Sequence, residues 1–505
     1  MKGLNGFSYL PMAAVVALVA AHSTAAHAQE ITIVLSEEPD LLEPCQSSRS
    51  NIGRVVKQNV VETLTEIDPK DGSITPRLAT EWSQIDDLTW RFEIRQGVTF
   101  HDGAPLDAES VAFAINRTMD TNLDCEVRTK FFGGLTVTPT AVDTYTLEVA
   151  TDSPVPILPT MMGTVTVMSP NTPMGVPDRT PVGTGPYRFV SWDVGENIVL
   201  ERSPDYWGGQ PDVAKATYVW RSESAVRAAM VATGEADIAP NIAVQDATDE
   251  AMDFSYPNSE TTRMRIDTLL PPLDDVRVRE AINLAIDRDA MRGTILSKDV
   301  IPATQLVVPS INGHNPDLKV WPYDPAKARE LLDAARGDGV DVDSEITMIG
   351  RLGIYPNATE VAEAMTAMLQ DAGLNVKLQM LEVAEWVDFL TKPFAEDRPP
   401  VLQQSQHDNN NGDAVFTAYN KYHSEGAQST LSDPEVDDLL VRAGAATGDE
   451  RRSLFQQAFK RVNQDLIADV PMYHMVGYTR VGPRITFTPS ISTNSELQIA
   501  QIKVN

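Results

Sequence analysis

Residues 180–192, TPVGTGPYRFVSW, followed by Ser203-Pro204-Asp205-Tyr206-Trp207, decide how the rest of this chain is read. Gly183, Gly185 and Pro186 confine the backbone to a tight path, and Tyr187, Phe189 and Val190 open a strand directly behind it. A demanding turn that feeds an aromatic strand, with a second aromatic pair at Tyr206-Trp207, predicts a strand-rich unit with aromatic groups near its surface.

Strand and helix patterns alternate on both sides of this stretch. Residues 31–35 form a short apolar run of buried-strand type, and Leu88, Trp90, Phe92 and Ile94 alternate with polar neighbours at the period of a half-buried strand. Asp102-Gly103 turns the chain, and Asp107 is placed to cap a helix carrying Val111, Ala114, Ile115 and Thr118 on one face. A helix over 226–232 stops at Gly234-Glu235-Ala236-Asp237-Ile238. Asp275 caps a helix expected over 276–291, with the stripe Val278, Ile282, Ala285 and Ile286, and with Arg277 and Arg279 paired to carboxylates. Asp324-Pro325 opens another helix, buried through Ala328, Leu331, Leu332 and Ala335 and stopped over 337–339. A third, over 358–372, ends at Gly373 and runs into a strand over 375–381. This alternation is that of an α/β protein, and 505 residues suffice for about three domains.

The amino terminus sets the compartment. Lys2 is the only charge among the first 28 residues, the apolar run 12–21 is too short to span a bilayer, and Ala26-His27-Ala28 offers small residues where a signal peptidase reads. Residues 1–28 are therefore expected to be a cleaved signal peptide. The first cysteine after them is Cys45, not a lipid-bearing residue at the cleavage point, so a soluble periplasmic protein without a lipid anchor is expected. In that oxidising compartment Cys45 and Cys125, the only two cysteines, invite a disulfide, the other reading being two buried thiols. With 41 basic against 71 acidic residues the net charge is −30, a surface that repels nucleic acid and anionic lipid.

The turn-strand stretch resembles the signature of the peptide-type (dipeptide, oligopeptide and nickel) solute-binding proteins of ABC importers. The segment around His101-Asp102-Gly103, the Gly234 to Ile238 ending and the string DDVRVREAINLAIDRDAM resemble the same family in the same order. The resemblance covers about 31–481. It implies a two-lobed periplasmic-binding-protein fold with mixed sheets, a discontinuous first lobe and an extra subdomain. Lobe I is expected over 29–264 plus 479–505, including an inserted subdomain at about 60–180. Lobe II is expected over 265–478, with hinge crossings near 265–270 and 473–478. The implied partners are a small-molecule solute and ABC permease transmembrane subunits driven by cytoplasmic ATPases, with the protein acting as a monomer and without a cofactor.

Catalytic patterns are missing from the sequence: it has neither a Gly-x-Ser-x-Gly elbow nor a His-Glu-x-x-His pair, and its seven histidines are not paired at metal-ligand spacing. A binding cleft needs only a few oriented polar groups. Residues 403–416, QQSQHDNNNGDAVF, supply them in succession. In the peptide-binding members the matching segment carries an Asp that pairs with the ligand's ammonium, which points to Asp408 ahead of Asp413. Where those members have a Trp-containing run, Ser405, Gln406 and His407 stand here, so the expected ligand is a small polar cationic or zwitterionic solute: an opine, an amino-acid conjugate or a short peptide. Over 350–357, GRLGIYPN, Arg351 is a candidate for a carboxylate and Tyr355 for stacking. Ser47 and Arg49 follow the first strand as wall candidates, and Tyr473 lies at the second crossing. The resemblance also places 239–242 near the cleft. A sugar or oligosaccharide receptor, a nickel-chelate receptor resting on His407 and His423, and a secreted hydrolase are the alternatives.

Overall fold

The computed structural model describes residues 29–47, 50–352, 354–355, 357–409 and 412–505. The expected signal segment 1–28 and Arg49 lie outside the described residues.

The chain opens with β1 (Glu30–Leu35), whose Ile33, Val34 and Leu35 are fully buried. It then builds a four-stranded antiparallel sheet from β2 (Ala79–Asp86), β3 (Thr89–Ile94), β4 (Val137–Ala141) and β5 (Thr146–Thr151), in the order β2-β3-β5-β4. Helix α1 (Ala108–Met119) covers this subdomain and starts in a capping box, the Asp107 side chain accepting from Ser110 N while Ser110 Oγ accepts from Asp107 N. The subdomain has its own core, centred on Phe92, Phe100, Val111, Ile115 and Leu147.

The chain then returns to the main sheet with β6 (Tyr187–Asp193), β7 (Asn197–Arg202) and β8 (Lys215–Trp220). Helix α2 (Ser224–Thr233) stops at left-handed Gly234 and feeds β9 (Ile238–Ile242). The long β10 (Asp253–Ile266) follows, then helix α3 (Val276–Ala285), β11 (Ile346–Arg351), α4 (Ala358–Ala372), β12 (Val376–Leu381), β13 (Val401–Asp408), α5 (Val415–Tyr422) and the long β14 (Asp469–Val481). Among the described residues the main sheet has eleven strands: ten lie in the order β6-β7-β8-β1-β9-β14-β10-β13-β11-β12, and the two-residue strand Ile301–Pro302 pairs with β14. β1 runs parallel to β8 and β9, and β11 runs parallel to β12 and β13, so each lobe carries a parallel segment, while β6, β7 and β8 close the first-lobe end antiparallel.

The molecule has two lobes, joined by the central antiparallel pair β10 and β14. The start of β10 pairs with the end of β14 (Asp253 with Arg480), beside the first-lobe core of Ile33, Leu35, Tyr187 and Tyr218. Its far half pairs with both β14 and β13, beside the second-lobe core of Met264, Ile266, Met348 and Met365. The β10–β14 register shifts between Pro257 and Thr261, and β10 already pairs with β13 from Glu260 onward, upstream of 265–270.

The glycines of the opening stretch are required by close approach, not by an unusual dihedral. A Cβ on Gly183 would lie 2.2 Å from Val60 O, and one on Gly185 2.2 Å from Asn59 O. Tyr206 and Trp207 are half-buried rather than displayed: the Tyr206 hydroxyl and Trp207 Nε1 donate to the buried Glu62 carboxylate at 3.0 and 2.9 Å, alongside Thr184 Oγ1 and Arg77 Nε. The signature is thus a structural clamp around one buried acid. The helix expected over 276–291 is two helices, because Ile286 is extended and Asp287 caps a new turn by accepting from Ala290 N. Arg277 pairs with Asp275 and Asp338, whereas Arg279 instead donates to the carbonyls of Leu466, Leu273 and Asp274.

Candidate functional site

β13 carries the polar run, and its alternation divides it between two faces. Ser405 and His407 face the packed interior with Arg263 and α5. Arg263 Nε donates to Ser405 Oγ, and one ring nitrogen of His407 bonds Thr417 Oγ1. Burial, with the nearby Lys421 and Arg263, holds the His407 pKa well below its usual value, so the ring is neutral at physiological pH. Gln404, Gln406 and Asp408 point to the opposite face. Gln404 Nε2 donates to the Tyr355 hydroxyl at 2.8 Å and to Ala358 O, and the half-buried Gln406 has a buried Oε1 without a partner among the described residues.

Asp408 ends the strand and is exposed. Its Oδ1 accepts from Ser259 Oγ at 2.9 Å, Ser259 Oγ lies 3.4 Å from Asn494 Nδ2, and Lys130 Nζ of the inserted subdomain stands 3.6 Å from Asp408 Oδ2. Its register partner across β10 is Glu260, so two carboxylates sit side by side on one face. Burial, together with the Asp408 charge, pushes Glu260 up to about 7.

Glu260 lines a cavity of about 250 Å³ between the lobes. Its floor is Asn258 and Glu260 of β10 with 475–478 of β14. The first lobe contributes Asn241 and Asn494, and the second lobe contributes Ile295, Leu296, Tyr355 and Asn357. Four amides and one raised carboxyl against aliphatic walls suit a solute with a cationic group and hydrogen-bonding functions on a short carbon skeleton. Tyr478 closes one side, its hydroxyl donating to Asp299 Oδ2 at 2.6 Å and meeting Ser297 Oγ at 2.5 Å.

The other expected residues are placed as follows. Asp413 is buried, both its oxygens taking Arg451 at 2.7 and 2.8 Å, with Asn312 Nδ2 and Val415 N as further donors, so its acceptor capacity is spent within the fold. The Arg351 guanidinium stacks on Trp386, 5.4 Å from the ring centroid. Tyr473 is fully buried in the second-lobe core, and its hydroxyl donates to Arg288 O. Ser47 is buried at the end of a short 3-10 turn, Pro44–Gln46. His423 stacks on Tyr419 with centroids 4.3 Å apart, and no group of three or more metal-ligating side chains occurs among the described residues. Cys45 and Cys125 form a disulfide, with Cα atoms 5.1 Å apart. Sequence reasoning missed Glu260, Asn258, Asn494, Tyr478 and Lys130. Glu260 becomes visible only through the β10–β13 register, since no local pattern distinguishes it from other strand carboxylates.

The profile of bacterial extracellular solute-binding proteins, family 5 middle, matches residues 73–430. Over 456 residues the chain is 26% identical to probable di/tripeptide-binding protein 5 of Pseudomonas aeruginosa (strain UCBPP-PA14), covering 83% of this chain and 85% of that one. Over 376 residues it is 27% identical to glutathione-binding protein GsiB of Salmonella paratyphi A, covering 71% and 70%. The solved structure of MppA, a periplasmic murein tripeptide binding protein in its unliganded open form, superposes with a TM-score of 0.83 at 20% identity, covering 94% of this chain and 97% of that one. Among the described residues no helix is long and apolar enough to cross a membrane.

Proposed function

Because the chain belongs to the family 5 bacterial extracellular solute-binding proteins, the periplasmic solute receptors of peptide-type ABC importers, we propose that its interlobe cavity captures a small solute through an ammonium or other cationic group. An opine, an amino-acid conjugate or a short peptide fits this description. The chain is a binding protein, not an enzyme.

The observation that carries the reading is the pairing of Asp408 with Glu260 beside the cavity. Two adjacent carboxylates, one of them half-buried, repel each other, and a cation placed between them removes that repulsion while gaining charge-assisted hydrogen bonds of roughly 1.5 to 3 kcal/mol. Gln406 and the cavity asparagines then orient the remaining polar groups. Tyr355 serves as a wall, since its hydroxyl already accepts from Gln404. Tyr355 and Tyr478 are the aromatic side chains of the lining, fewer than a sugar receptor's stacking platform would call for. Closure follows from contact with both lobes at once, and the loaded closed form is what a permease would receive.

Titration calorimetry against opines, amino acids, short peptides, sugars and nickel tests this. A cationic or zwitterionic class should bind, and Asp408→Asn should weaken that binding at least tenfold. Unchanged affinity in the variant, or a response to sugars alone, would remove the assignment.

A further inference from the structure

The inserted subdomain meets the second lobe along several segments, among them the turn at Gly72, which lies against the backbone of Ser310 and Gly412, and the π-helical turn Arg128–Phe132. Two consecutive side chains of the latter carry its contact. Phe131 packs edge-on against Phe416 of α5, with ring centroids 6.4 Å apart and planes at 80°. Lys130 Nζ lies over the Phe131 ring and 3.6 Å from Asp408 Oδ2. The turn is braced from behind: Arg128 N donates to Cys125 Sγ, Thr129 N to Cys125 O, and Cys125 is bonded to Cys45, which follows β1 in the chain and packs in the subdomain's own core. A covalent link therefore anchors the base of an arm whose tip touches the opposite lobe.

We propose that Arg128–Phe132 is a clasp between the lobes, and that Lys130 is a specificity-determining residue, a resident ammonium held at the carboxylate that a ligand's cation needs. The second half of this statement rests on the reading of Asp408 as the cation anchor, while the clasp itself does not. An incoming cation must displace Lys130, so solutes whose cation is weakly held are rejected. A solute that also carries a carboxylate gives the displaced Lys130 a new partner. Phe131 keeps the arm in place during the exchange, because its contact with Phe416 carries no charge.

The clasp is tested without any ligand. Spin labels at Glu109→Cys and Glu363→Cys, exposed positions on α1 and α4, report the distance between the inserted subdomain and the second lobe. In the unliganded protein, Lys130→Gln should lower the ratio of short to long distances by about two- to five-fold, the range of a partly exposed ion pair. Asp408→Asn should do the same, the double variant should go no further, and the exchanged pair Lys130→Asp with Asp408→Lys should restore the ratio. Phe131→Ala should open the lobes further than Lys130→Gln. A Lys130→Gln distribution equal to that of the wild type, or additive effects in the double variant, would overturn the proposal. The competition half is read with L-alanyl-L-alanine and its carboxyl amide. Wild-type protein should prefer the free acid, and Lys130→Gln should lose at least threefold of that preference; an unchanged preference, or no preference in wild type, overturns the specificity role. If Asp408→Asn opens the clasp yet binds L-alanyl-L-alanine as wild type does, the cation anchor falls and the clasp stands.

Discussion

Glu260 sits in the folded protein with its carboxyl pushed up to about 7 from an ordinary 4.5, by burial and by Asp408. Below pH 4.5 it is protonated whether the chain is folded or not. Between about 4.5 and 7 only the folded form holds the proton, so the stability it contributes is lost as pH rises through that window, and the loss is complete above about 7. The unliganded protein should therefore melt at progressively lower temperature across this range, and Glu260→Gln should flatten the slope; an equal slope in both proteins would show that other groups govern it. A bound cation should draw the proton off Glu260, which calorimetry near pH 7 detects as an enthalpy that changes with the ionisation enthalpy of the buffer. At this scale the sequence was informative wherever a residue's role is local. Asp107, Asp275 and Asp324 cap the helices expected of them. It was silent on Glu260 and Lys130, whose roles depend on partners more than a hundred positions away.

The turn before β6 shows what a short element demands. Gly183 lies so close to the backbone at Val60 that a methyl group has nowhere to go, and the strand after it is fixed by Glu62 gathering Tyr206, Trp207, Thr184 and Arg77. Gly183→Ala should cost about 1–3 kcal/mol of stability by overpacking. Gly134→Ala, where an added Cβ meets nothing within 4 Å, serves as the control and should be near neutral. Urea unfolding of the two variants separates these outcomes, and equal midpoints would show that the backbone near 59–61 yields. The polar run 403–408 was legible as a succession of hydrogen-bonding side chains, but not as a strand with two faces, because all its side chains are polar and alternation leaves no trace in composition. Only the pairing with β10 shows that Asp408 stands beside Glu260 and His407 beside Thr261, on opposite faces of the strand. The interruption at Ile286 was hidden for a related reason: the apolar stripe continues through it, and the capping by Asp287 competes with the helix locally.

For the molecule as a whole, the two-lobed plan was readable because several short motifs, from His101 to Met291, stand along the chain in the order the family resemblance calls for. The cavity was not, since its lining comes from six separate stretches that meet only after both lobes have formed. The Cys45–Cys125 link closes a loop of 80 residues between the first lobe and the inserted subdomain. Removing it by reduction, or by Cys45→Ser with Cys125→Ser, should lower the unfolding free energy by roughly 4 kcal/mol on the loop-entropy model. Denaturant titration with and without reductant measures this, and an unchanged midpoint would mean that the unfolded chain is already held compact. The continuity of the main sheet through β10 and β14 has a mechanical consequence. Lobes joined by loops swing freely, whereas lobes joined by paired strands behave as the two ends of a torsion bar: reorientation is taken up as twist, concentrated where the register slips between Pro257 and Thr261. Any change in the angle between the lobes must therefore bend paired strands, so the spread of angles the molecule can reach is set by how far those two strands can twist without losing their hydrogen bonds.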